Sequence, residues 1–209
     1  MGTSQKNNLS LRAISLAKVF HYEERHALHV AKLAKSFFDQ LSPLHKLGEK
    51  ERTLLEAAAI LHDIGWVKGQ QKHHKTSQAL IIQSQQLGIP RQQRIRIGLI
   101  ARYHRKSLPE ASHKYFCDLD EKSKRIVKIL ASFLRLADGL DRTHQSSVED
   151  VICKTSSKQI LVQLKGKRLV PEDITIGRRK ADLLKDAFKK IVRITFTTGC
   201  PPKPPQRLK

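Results

Sequence analysis

Apolar residues recur at intervals of three and four through most of the first 142 residues, a spacing that admits helices with one buried side and little else. Val30, Leu33, Phe37 and Leu41 mark such a side within residues 10–41, which read as one or two helices. Leu54, Leu55, Ala58, Ala59 and Leu61 mark another in 49–64, with Gly65 as its stop. A third helix is expected over 77–87, closed by Gly88. A fourth opens at Pro90, where a first helical turn accepts proline, and carries Ile95, Leu99 and Ile100. Asp118 or Asp120 then caps a long helix whose apolar side includes Ile126, Ile129, Leu130, Phe133 and Leu136.

The repeat breaks near Val148. Val151 to Lys154 and Gln159 to Leu164 flank a Thr155-Ser156-Ser157 turn and suggest a hairpin, residues 172–189 return to a helical pattern, and 191–196 alternate as a strand does. The expected architecture is therefore mainly α: a helical bundle over 10–146, then a small α+β appendage over 147–197 with a short antiparallel sheet. The proline-rich end, 198–209, is expected to be a disordered tail.

Charge narrows the partners. Lys and Arg number 40 against 19 Asp and Glu, a formal +21, and the last 57 residues hold 15 of the basic and 4 of the acidic side chains. So one-signed a surface attracts polyanions such as phosphorylated small molecules, polyphosphate or nucleic acid. No nucleic-acid-binding motif accompanies the charge, and aromatic residues at 5% are sparse for base stacking. No apolar run is long enough to span a membrane, and the polar start, Met1 to Arg12, lacks a signal-peptide core, so a cytoplasmic chain is expected. Cys117, Cys153 and Cys200 are too scattered for a disulfide framework or a thiolate zinc site.

Four ionisable residues sit where the helical pattern calls for core. His26 precedes Val30, Leu33 and Phe37 by four, seven and eleven residues, whereas His29 aligns with Lys32, Ser36 and Asp39 and should face water. His62 follows Leu55 and Ala58 by seven and four, with Asp63 beside it at the helix end. Asp138 follows Val127, Ala131 and Leu134 by eleven, seven and four. Burying four such groups on three helices without partners costs several kcal/mol each, so a shared compensation is required. A divalent cation supplies it, because two neutral imidazoles and two carboxylates are nitrogen and oxygen ligands that balance its charge.

The ordered set Arg25-His26-Ala27, Leu61-His62-Asp63-Ile64-Gly65 and Ala137-Asp138-Gly139 resembles the HD superfamily of metal-dependent phosphohydrolases. His73-His74-Lys75-Thr76-Ser77, Ala101-Arg102-Tyr103-His104-Arg105-Lys106 and Lys180-Ala181-Asp182-Leu183-Leu184 look like the C-terminal HD domain of the exopolyphosphatase/guanosine pentaphosphate phosphatase family. The resemblance implies an HD-type bundle with His26, His62, Asp63 and Asp138 as metal ligands, for Mn, Fe, Co, Ni or Mg. It also implies a second-metal or site-lining role for His73, His74 and His104. Thr76 departs from the family pattern, which commonly has a histidine there, so one ion is expected and a second is left open. Full-length members carry an N-terminal phosphatase module that is not part of this sequence.

Two functions follow from these readings. The first is a metal-dependent phosphohydrolase acting on a nucleotide or other phosphorylated anion by metal-activated water, with Asp63 and His104 catalytic and Arg102, Arg105, Lys106, Arg135 and Arg142 holding the substrate. The second is a non-catalytic polyphosphate- or nucleotide-binding regulatory module. In that case Arg178, Arg179 and Lys180 would dock polyanions, and the chain would form a homodimer or dock onto a phosphatase domain. His21, His45, His113 and His144 show no inward pattern and are expected at the surface.

Overall fold

The computed structural model describes residues 3–69, 71–166 and 170–198. Helix α1 (Thr3–Val19) leads into α2 (Glu24–Gln40), a short α3 (Ser42–His45) and α4 (Glu49–Leu61). A 3-10 turn (Ile64–Lys68), α5 (His73–Gln83), α6 (Arg91–Arg102) and α7 (Glu121–Leu140) complete the bundle. Strands β1 (Asp150–Thr155) and β2 (Gln159–Gly166), helices α8 (Pro171–Lys180) and α9 (Asp182–Phe188) and strand β3 (Ile191–Thr198) form the appendage. The chain is thus mainly helical with a small sheet at its end.

Helix α7 is the centre of the bundle. Asp120 caps it by accepting from Ser123 N at 2.6 Å, and its length allows α2, α4 and α6 to pack along one side while α8 and α9 pack along another. It is buried almost all round from Ile126 to Leu140. Such a helix needs small residues where neighbours come close, and Ala131, Ala137 and Gly139 supply them.

The sheet order is β1-β2-β3. β1 pairs with β2 antiparallel, from Asp150 opposite Lys165 to Thr155 opposite Ile160, as expected for the hairpin. β3, by contrast, pairs with β2 parallel, so the sheet is mixed. The α8–α9 segment supplies the crossover that a parallel pair needs. Ile160, Val162 and Leu164 of the central strand are fully buried, and one apolar cluster runs from the bundle into the sheet. Gln40 fixes the free edge of β1: its amide donates to Val151 O at 2.8 Å and accepts from Cys153 N at 2.9 Å.

Several local expectations shift. The fourth-helix start at Pro90 and the cap at Asp120 fall in place, but α4 ends at Leu61 and Gly65 lies inside the 3-10 turn instead of stopping the helix. α5 starts at His73, four residues earlier than expected, which makes His73 and His74 buried helical residues. The stretch 172–189 is two helices, not one. It breaks at Ala181, and α9 begins at Asp182, whose carboxylate accepts from Leu183 N at 2.7 Å. His29 does not face water: its Nε2 lies 2.9 Å from Val148 O, where the bundle meets the appendage. His45 is fully buried with Nε2 against Phe38 O at 2.7 Å, and His113 is half-buried against the Tyr103 hydroxyl at 3.0 Å. The expectation for the tail falls, except for Thr198, outside the described residues.

Candidate metal centre

His26, His62 and Asp138 converge from α2, the end of α4 and α7, with one donor atom of each within 4.8 Å of the others. His26 Nε2 stands 3.5 Å from Asp138 Oδ1, and His62 Nε2 stands 3.7 Å from the same oxygen. The other nitrogen of each ring is already engaged. His26 Nδ1 donates to Asp141 Oδ2 at 2.8 Å, and His62 Nδ1 donates to Ala59 O at 2.7 Å. These bonds set the tautomer and aim Nε2 inward, the arrangement by which outer partners orient metal-binding imidazoles. Both Nε2 atoms are buried without a hydrogen-bond partner among the described residues.

Asp63, His73 and His104 form a second nest with the same 4.8 Å closeness. Asp63 Oδ1 lies 3.1 Å from His73 Nε2 and 3.5 Å from His104 Nε2, while its Oδ2 lies 3.5 Å from His62 Nε2. One carboxylate therefore faces both nests. His104 Nδ1 donates to Ala101 O at 2.6 Å, which again leaves Nε2 aimed at the nest. His73 gets there because Gly65 lets α5 sit on the 3-10 turn: a Cβ at Gly65 would lie 2.2 Å from His73 O and 2.6 Å from Ser77 N. The first turn of α5 thus supplies an imidazole to the nest, and Thr76 is not needed there. His74, although buried, belongs to neither nest.

The electrostatics match the donor set. Burial would raise Asp63 and Asp138, but the neighbouring histidines, and for Asp138 above all Lys180, hold both carboxyls below the usual range. Burial opposes protonation of His26, yet the adjacent Asp138 and Asp141 carboxylates raise it to about 10, and the same kind of carboxylate contact raises His62. His104, fully buried, is driven well below its ordinary value and is neutral. Two anionic carboxylates with orphaned imidazole nitrogens are the donors a divalent cation takes, so the residues present fit such an ion.

Above the nests opens a cleft of about 400 Å³ floored by Asp63, His73, His104 and Asp138. Arg105, Lys106, Arg135, Arg142, Arg179 and Lys180 line it. Arg135 is already committed, with a two-pronged pair to Asp182 at 2.7 and 2.8 Å and a bond to Tyr103 O. Arg102 is not in the lining; its guanidinium donates to Gln78 Oε1 at 2.9 Å. Trp66 stacks on His73 with centroids 5.0 Å apart and walls one side. His144, partly exposed as expected, stacks its ring on His26 at 3.8 Å.

The charge of the appendage lies partly inside the site. Arg179 and Lys180 face the cleft, and Lys180 contacts Asp138 directly. Asp173, Gly177 and Lys180 are spaced four and three apart, on one face of α8, and that spacing is the sequence signal for this contact.

Fold and cleft together define a helical domain built around a histidine–aspartate centre with a basic wall. Residues 10–176 match the family described as Ppx/GppA phosphatase, domain III, and the chain belongs to that family. The matched stretch contains His73–Ser77 and the 101–106 segment, whereas Lys180–Leu184 lies beyond it.

Proposed function

We propose that the chain is a metal-dependent phosphohydrolase of the HD type, acting on a nucleotide or another phosphorylated anion. The observation that carries this reading is the pair of facing nests at the floor of a cationic cleft. His26, His62 and Asp138 would hold one divalent ion, and Asp63, His73 and His104 a second. Such an ion supplies an acidified water and a Lewis acid for a phosphoryl oxygen. Asp63, facing both nests, would hold an ion and orient the attacking water. Arg105, Lys106, Arg142 and Arg179 offset the charge of the phosphoryl oxygens, and Trp66 keeps bulk water from the second nest. Nitrogen and oxygen donors suit Mn, Fe, Co, Ni or Mg.

The test is elemental analysis of the purified protein joined to a screen of phosphorylated metabolites. Bound metal that disappears in the His26→Ala, Asp138→Ala double variant, together with turnover of at least one phosphate ester or anhydride, is the expected result. Unchanged metal content in that variant would remove the ligand set.

A second reading, a polyanion-binding module without catalysis, is favoured by one contact: the Lys180 ammonium balances Asp138 without any metal. Under it, polyphosphate or nucleotide binds the cleft and loses affinity steeply with salt, while no compound is turned over.

A further inference from the structure

Asp138 divides its two oxygens. Oδ1 faces His26 and His62 in the first nest, while Oδ2 takes the ammonium of Lys180 from the appendage. The approach that makes this contact is built into two glycines. At Gly139 a Cβ would stand 2.9 Å from Lys180 Cδ and 3.2 Å from Gly177 Cα. At Gly177 a Cβ would stand 2.4 Å from Leu140 Cδ2. Helix α8 therefore crosses α7 at a glycine-on-glycine point, one residue beyond Asp138, and the lysine stem lies across Gly139. Ion pairing fastens the same crossing on one side, where Arg135 holds Asp182. On the other, Asp173 is buried and accepts from Thr143 N at 2.8 Å and from the Thr143 hydroxyl at 3.1 Å.

The lysine is thus held in place, with only 13% of its side chain exposed, and Asp138, at 11%, is no more open to water. An ammonium so placed repels a dication entering the nest beside it, because like charges a few ångströms apart in a half-dry site interact strongly. It also balances Asp138 when no dication is there. We propose that Lys180 is a positioning residue and internal counter-ion of the first nest, which competes with the metal for Asp138 and sets the metal affinity of the site below what its ligands alone would give. The inference rests on the metal-centre reading above.

Isothermal titration of the metal-free protein with Mn²⁺ tests it. Lys180→Met keeps the apolar stem over Gly139 and removes the charge; Lys180→Gln retains a hydrogen-bond donor without charge; Lys180→Arg retains the charge. Both neutral variants are expected to bind Mn²⁺ at least about tenfold more tightly than the wild type, and Lys180→Arg to stay within about twofold of it. The metal-free neutral variants are also expected to melt below the wild type and to recover on adding Mn²⁺, with circular dichroism confirming that each is folded. Neutral variants that bind no more tightly than the wild type, or more weakly, overturn the proposal while leaving the metal centre standing. If neither the wild type nor any variant binds Mn²⁺, the metal-centre reading falls and this inference falls with it.

Discussion

His26 donates its Nδ1 hydrogen to Asp141 Oδ2 across 2.8 Å, although the two are 115 positions apart in the chain. Asp141 is wholly buried and also accepts from Ser146 N at 2.7 Å. The carboxylate fixes the ring so that Nε2 points at Asp138. Removing it frees the imidazole to turn and to change tautomer. Asp141→Ala is expected to weaken metal binding by about 10- to 100-fold, measured by titration calorimetry, while circular dichroism retains the helical signal.

In the metal-free protein, stability should peak in mildly acidic solution. His26 is raised from 6.5 to about 10, so its contribution is complete below pH 6.5 and is lost as pH climbs through 10. Asp63 and Asp138 lie below the ordinary 3.8, so their contribution is complete above that pH and fades as pH falls. His104 and His74 lie below the ordinary 6.5, so the neutral state they are buried in is disfavoured as pH falls beneath that value. Melting temperatures in a chelating buffer should accordingly decline on both sides of about pH 6.5. A flat profile from pH 6.5 to 10 would contradict the His26 assignment. Because His26 loses a proton when a cation takes its Nε2, metal uptake should release protons, and apparent affinity should rise with pH.

Gly65→Ala is expected to cost about 1–3 kcal/mol and to disturb the second nest selectively. The added methyl meets the backbone of α5 at His73 and Ser77, which cannot move without drawing His73 from Asp63. Urea unfolding checks the stability, and the number of metal ions bound checks the selectivity: the first nest, held by α2, α4 and α7, keeps its ion.

Cysteine labelling should discriminate between two thiols. Burial, followed by the charge of Asp150, pushes Cys153 up to about 12, so its thiolate forms only in strongly alkaline solution. Cys117 is exposed. Iodoacetamide at pH 8 is expected to modify Cys117 within minutes and to leave Cys153 intact in the folded protein, as peptide mass mapping would show.

The helical part of the fold and the first nest were legible because burial writes itself into a helix as spacing. His26, His62 and Asp138 each fall on an apolar stripe. His73 was harder to place, since its position depends on Gly65 allowing a close crossing, a fact about two elements that neither one's periodicity contains. Arg102 looked equivalent to Arg105 in sequence, yet one turns to Gln78 and the other to the cleft. The parallel pairing of β3 was also hidden: alternation at 191–196 marks a strand without giving its direction, which the α8–α9 crossover decides. His45 escaped notice because its partners, Phe38 O and Leu47 N, are backbone groups with no signature in side-chain pattern.

The donors of the two nests come from α2, the end of α4, the start of α5, the end of α6 and α7, and the wall above them from α8 and α9. A chain still leaving the ribosome can therefore offer no complete first nest until α7 has emerged, and no closed cleft until α8 has. Metal bound in the first nest would then report that α2, α4 and α7 have docked, since its donors come from all three. Such non-local assembly also slows folding, and it makes metal retention a sensitive probe of whether those distant segments remain docked on one another.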